Sequence, residues 1–187
     1  MKKILILLVV VFGSSVVLGQ MQRGIRFNAN GGAVIPVSGA MDSQYGQGYG
    51  VNVGMELFTL VESRLFLING GLETGYYHFS EERAAMTNIP AMVFVNMGLR
   101  MPSGIWRLRT GVGVGLFSNY TSQEIRNEEV GTYFGYYVPV GLNFRLNRQT
   151  RFVLQGRGYR IYGMIGYEDI NQVFAAVHLG FEYFLPL

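Results

Sequence analysis

The sequence predicts an all-β protein, an eight-stranded antiparallel up-and-down barrel that crosses a membrane, and three observations predict it. From Tyr49 to Leu57 large apolar residues alternate with Gly, Asn or Glu, the period of a strand with two unlike faces. Comparable stretches can be marked out eight times between Gly24 and Leu185, separated by segments rich in Gly, Ser, Asn, Asp and Glu. Beyond the N-terminal segment there is neither a run of 18 apolar residues nor a sustained helical period, so helices are not expected to carry the chain across lipid.

The N-terminus reads as an export signal. Lys2 and Lys3 precede an apolar run from Ile4 to Phe12, and Val17-Leu18-Gly19 supplies a small-residue cleavage site before Gln20. Residues 1–19 are therefore assigned as a signal peptide and 20–187 as one barrel domain of about 168 residues. Gln20 stands where a lipoprotein would carry cysteine. The chain has no Cys, which excludes lipidation at that site, disulfides and thiol-ligated metals. Loss of Lys2 and Lys3 lowers the formal charge from +3 to +1; the remaining 13 basic residues are all arginine and form no run, so nucleic acid is not an expected partner.

The strands are expected near 24–36, 46–58, 64–79, 89–101, 105–120, 131–145, 151–163 and 172–185. In the first, Arg26, Asn28 and Asn30 share one face; in the second, Val51, Val53 and Met55 oppose Gly50, Asn52, Gly54 and Glu56. The third carries Asn69, Gly71 and Glu73 on its polar side, and the fourth sets Val93, Val95, Met97 and Leu99 against Asn96, Gly98 and Arg100. The fifth sets Leu108, Val112, Val114 and Leu116 against Arg107, Arg109, Gly111 and Gly113; the sixth sets Val138, Val140 and Leu142 against Gly141, Asn143 and Arg145. The seventh offers Gln155 and Arg157, and the last sets Val177, Leu179 and Phe181 against His178 and Glu182. Alternation alone does not say which face is inside. Composition does: a uniform aliphatic band suits lipid, whereas arginine there would cost about 2–4 kcal/mol each at the midplane.

The interior of an eight-stranded barrel is just wide enough for side chains to fill it. The expected lumen network is Arg26, Glu56, Glu73, Arg100, Arg107, Arg109, Arg145, Arg157, His178 and Glu182. Six arginines against three glutamates leave an imbalance that Asn, Tyr and trapped water must absorb, or that marks a place for an anion.

Connections around 58–64, 101–105 and 146–150 look short, and those around 37–45, 80–88, 121–130 and 164–171 long, which places both termini on the periplasmic side. The long loops hold Asp42, Glu81, Glu82, Glu124, Glu128, Glu129, Glu168 and Asp169 against Arg83 and Arg126, so an acidic outer rim is expected. Tyr45, Tyr49, Tyr76, Tyr77, Tyr120, Tyr133, Tyr136, Tyr137, Tyr159, Tyr162 and Tyr167 gather at the long-loop ends and read as an outer tyrosine girdle. Trp106, Phe144, Phe27, Phe58, Phe66, Phe152 and Phe181 form a second belt toward the short turns.

Gly31-Gly32-Ala33-Val34-Ile35-Pro36, Gly46 to Val51, Asn88 to Val93 and Gly111 to Gly115 together resemble the outer membrane protein β-barrel domain family, the small porin-like barrels of Gram-negative bacteria. The likeness spans nearly the whole mature chain and rests on glycine spacing and an Ile-Pro strand start. The alternation of Val177, Leu179, Phe181, Tyr183, Leu185 and Leu187 is similar to the terminal assembly signal of such barrels, although this chain finishes Pro186-Leu187 where the family usually has Phe. The resemblance implies a bacterial outer-membrane location, lipid and lipopolysaccharide as surroundings, and no cofactor.

Chemistry is sparse. His78 and Ser80 lie two apart, and with Glu81 or Glu82 following they are similar to the lipid A deacylases built on this barrel size, where serine would be nucleophile and histidine base. Catalysis is not the favoured expectation, because no third member or oxyanion hole is placed. His178 is expected to be a hydrogen-bonded interior histidine, and two histidines so far apart make no metal site. Gly111 to Gly115 continues a strand with no helix or lysine after it, which rules out a phosphate loop. The expected role is structural, or surface interaction through acidic loops, by a monomer with a filled polar lumen; a small pore and a lipid A-modifying enzyme are the alternatives.

Overall fold

A computed structural model describes residues 24–37, 45–63, 65–81, 84–123, 126–163 and 171–186. The assigned signal peptide, with Asp42, Glu82, Arg83, Glu124, Tyr167, Glu168 and Asp169, lies outside them. The strands are β1 (Gly24–Pro36), β2 (Gly48–Glu62), β3 (Phe66–Glu81), β4 (Ala84–Arg100), β5 (Trp106–Gln123), β6 (Arg126–Arg145), β7 (Thr150–Tyr162) and β8 (Asn171–Pro186). Each pairs antiparallel with its chain neighbour, and β1 closes on β8 from Gly24↔Pro186 to Pro36↔Phe174. Closure leaves no sheet edge, the condition for crossing lipid with strands.

Side-chain direction follows the alternation. Val51, Val53, Val93, Val95, Val112, Val114, Val138, Val140, Val177 and Leu179 are exposed on the outer wall, and Asn52, Glu56, Glu73, Arg107, Arg109, Asn143, Arg157, His178 and Glu182 are buried inside. A belt of bare aliphatic side chains around a buried ionic interior is the inverse of a soluble barrel and places the outer wall in lipid.

The ladder breaks where proline has no N–H to give. Between β3 and β4 the pairing skips from Thr74↔Ala91 to Tyr77↔Asn88 beside Pro90, and between β5 and β6 from Thr110↔Val140 to Gly113↔Tyr137 beside Pro139. In each gap a threonine donates to the proline carbonyl, Thr74 Oγ1 to Pro90 O at 2.7 Å and Thr110 Oγ1 to Pro139 O at 2.9 Å, so a polar group on the lipid side is not left bare. In β2 the register slips between Glu56 and Phe58, turning both Leu57 and Phe58 outward.

Short turns join strands at the end holding Gly24 and Pro186, called the turn end here. Asn147 Oδ1 accepts from the amides of Gln149 and Thr150, each at 2.8 Å, and Gly104 adopts φ 69° in the β4–β5 turn. At the opposite end, two of the four connections expected to be long are tight. The ladder runs to Glu81↔Ala84 and to Gln123↔Arg126, so β4 and β6 each begin five residues before their expected starts. Glu81, Glu128 and Glu129 thus belong to strands, not loops. Their charge suggested loop because it is incompatible with lipid. β6 has 20 residues, however, and a tilted span needs only about 9–11, so the charged part continues the hairpin past the length that lipid requires.

Val112→Arg or Val53→Arg should weaken the folded barrel in vesicles by about 2–4 kcal/mol in denaturant titrations, whereas Asn52→Ala, one position inward, should cost about 1 kcal/mol because Arg157 still holds Glu73.

Candidate functional site in the barrel interior

The cylinder contains three layers. Nearest the turn end is an ionic cluster around Glu56 and Glu182. Glu182 Oε2 accepts from Arg107 Nη2 at 2.5 Å, Asn143 Nδ2 at 3.0 Å and Arg109 Nη1 at 3.3 Å, while its Oε1 lies 3.9 Å from Arg26 Nε and 3.7 Å from Arg151 Nε. Glu56 Oε2 accepts from Asn69 Nδ2 at 2.5 Å and Arg26 Nη1 at 3.3 Å, and its Oε1 lies 2.8 Å from Arg109 Nη2. Four guanidinium groups therefore share two carboxylates.

The middle layer is a one-to-one pair. Both Arg157 terminal nitrogens donate to the Glu73 carboxylate, Nη2 at 2.8 Å to Oε2. Arg157 Nε donates to Gln155 Oε1 at 3.1 Å, Nη1 also reaches Tyr159 OH at 3.1 Å, and the guanidinium sits 4.8 Å over the Tyr137 ring. Asn52 Nδ2 completes the carboxylate at 3.1 Å. A bidentate, fully hydrogen-bonded pair is the arrangement in which burial of two charges is tolerated.

Above this the interior turns aromatic. Tyr77 and Tyr159 share a 2.5 Å hydroxyl contact, Phe174 stacks on Tyr159 at 4.5 Å, and Phe79, Phe117 and Tyr137 pack round them. Met86, Val34 and Ile161 close the same cluster. Phe79, Phe117, Phe174 and Ile161 are each 0% exposed, so the layer is a plug. The rings fit because glycines stand behind them: a Cβ on Gly113 would come 2.1 Å from the Tyr137 ring, and one on Gly50 2.3 Å from Tyr77.

Of the expected lumen residues, Arg26, Glu56, Glu73, Arg107, Arg109, Arg157, His178 and Glu182 face inward as described. Two do not join them. Arg100 pairs with Glu62 and donates to Ser63 O at 3.2 Å on the rim, and Arg145 is exposed and donates to Asn147 O. Both are the last residues of their strands, where the inward face already opens to solvent. Arg151, absent from the expected set, faces Glu182. Among the described residues buried His178 has no hydrogen-bond partner, contrary to expectation, and it stacks on Tyr77 at 5.9 Å.

The tyrosine girdle divides in two. Tyr49, Tyr76, Tyr120 and Tyr136 point outward, whereas Tyr45, Tyr77, Tyr137 and Tyr159 are buried and Tyr133 packs against the plug. Position along the strand does not distinguish the two groups, but parity separates Tyr76 from Tyr77 and Tyr136 from Tyr137. At the turn end, Trp106, Phe144, Phe152 and Phe181 form one cross-strand row on the outside, with successive ring centroids 3.6, 6.2 and 5.9 Å apart.

His78 lies on the outer wall against Tyr49 at 5.4 Å, with Nδ1 3.0 Å from Thr87 Oγ1. Ser80 shares that face, but Glu81 falls on the opposite parity. Among the described residues a hydroxyl, not a carboxylate, meets the histidine. Among the described residues no cluster of His, Asp and Glu could hold a metal ion.

Glu182→Gln should destabilise the barrel by about 3–5 kcal/mol in the same titrations, since it strips one of two carboxylates from four arginines. Gly113→Ala should cost about 1–3 kcal/mol by forcing the Tyr137 ring aside.

No protein-family model and no curated protein matches the sequence. Solved structures do match in shape. Neisserial surface protein A aligns with a TM-score of 0.62 at 12% identity, covering 85% of this chain and 96% of its own. The outer membrane enzyme PagL aligns at 0.51 and 13% identity, covering 84% and 98%. With strand number, closure and wall polarity already given, the chain has the fold of the small eight-stranded outer-membrane β-barrels of Gram-negative bacteria.

Proposed function

We propose that the protein is a non-conducting barrel of the bacterial outer membrane, exported by its N-terminal signal. It is anchored as a monomer among membrane lipid and lipopolysaccharide, and presents its acidic outer hairpins for structural or surface interaction. The observation that carries this reading is the aromatic plug: Phe79, Phe117, Phe174 and Ile161 fill the outer half of the cylinder with fully buried side chains, which supports a barrel closed to solutes. The extended β3–β4 and β5–β6 hairpins carry strand pairing past the length that lipid requires, which favours presentation of a surface over transport. The charge of Glu81, Glu128 and Glu129 suits cationic groups or cations bridging neighbouring lipopolysaccharides.

A second reading, a lipid-modifying enzyme, is supported by the shared outward face of His78 and Ser80 near the end of β3. The Thr87 contact weighs against it, because a hydroxyl does not stabilise an imidazolium as a carboxylate would.

In planar bilayers the purified barrel should give no discrete conductance steps; sustained steps would establish a pore instead. Release of fatty acid from lipid A should be absent. Release by the native protein that is lost in Ser80→Ala would replace the structural reading with the enzymatic one.

A further inference from the structure

The ionic layer at the turn end differs from the Glu73–Arg157 pair in charge and in completion. With Arg26 beside them, Arg107, Arg109 and Arg151 face Glu56 and Glu182, so among the described residues guanidinium groups outnumber carboxylates in this layer, and they do not shed a proton to relieve it. The donors are also unmet. Arg107 is 1% exposed, yet among the described residues its Nε and Nη1 find no hydrogen-bond partner, and neither does Arg109 Nε, whereas the three guanidinium nitrogens of Arg157 all do. Water could accept from those nitrogens but would bring no charge. An anion does both.

We propose that this layer is a binding site for a small inorganic anion of chloride size, held by Arg107 and Arg109 and reached from the turn end past Arg151. The size follows from the cylinder, which eight strands make just wide enough for side chains, so that a single ion fits where a polyatomic solute would not. The route follows from exposure: the Arg151 side chain keeps 24% of its surface accessible at that end, while the aromatic plug closes the other. The site is a dead end, and its occupancy does not depend on whether the outer half conducts.

Crystals of the refolded, detergent-solubilised protein grown in bromide should show an anomalous peak within hydrogen-bond distance of Arg107. In solution, the chloride-35 resonance should broaden on adding the barrel, and bromide should reverse the broadening. Removing one charged donor set with Arg107→Gln should weaken chloride binding by about tenfold or more. Arg151→Gln, at the solvent-facing rim, leaves the buried donors in place and should give a smaller loss, which keeps the test usable if Arg107→Gln does not fold. No internal bromide peak, as expected if only water satisfies the arginines, would overturn the proposal. Broadening unchanged in both variants would do the same.

Discussion

Every other feature of this chain depends on one constraint: within lipid no backbone amide or carbonyl can go without a partner. The thirteen-residue register from Gly24↔Pro186 to Pro36↔Phe174 meets it by removing the last two edges. Pro90 and Pro139 test the rule from inside the ladder, and in both cases a threonine hydroxyl on the neighbouring strand donates to the proline's own carbonyl where the ladder is interrupted. Once closure fixes the ladder, the two-residue period fixes each side chain as lipid-facing or enclosed, with little freedom left for exceptions.

The enclosed half then becomes a packing problem of fixed diameter. The chain solves it differently along the axis. At the turn end, arginine and glutamate fill the space and Asn69 and Asn143 lend amide donors; farther up, rings interlock over glycine backbones. The Glu73–Arg157 pair marks the boundary, its guanidinium bonded to the carboxylate on one side and lying over Tyr137 on the other. Interior charge and interior closure thus belong to separate parts of the same tube. Polarity inside a barrel is not by itself a sign of transport.

Much of this could be read from the chain. Val51-Asn52-Val53 and Val93 to Leu99 fixed period, and the aliphatic stripe fixed the outward face. What escaped the sequence had local physical causes. Tyr77, Tyr137 and Tyr159 share a strand end with their outward neighbours, and only the two-residue period distinguishes the enclosed rings from the lipid-facing ones. Arg100 and Arg145 had the right parity, but the strand ends beneath them open to solvent, and Glu62 and the Asn147 carbonyl compete there for the guanidinium. Glu81, Glu128 and Glu129 looked like loop residues because charge ends a lipid-facing segment, yet a hairpin can continue in water once its amides are paired. The excess of arginine was visible in sequence, but only the geometry separates the complete Arg157 from the incomplete Arg107.

The absence of cysteine makes the inside-out arrangement directly measurable. Single cysteines introduced in turn from Val138 to Asn143 can carry a nitroxide, with the protein in vesicles and collision with lipid-soluble oxygen read by electron paramagnetic resonance. A two-residue oscillation with oxygen maxima at Val138, Val140 and Leu142 is the result required by lipid outside and an ionic, packed interior within. An oscillation of the opposite phase, or a flat profile along the segment, would contradict it.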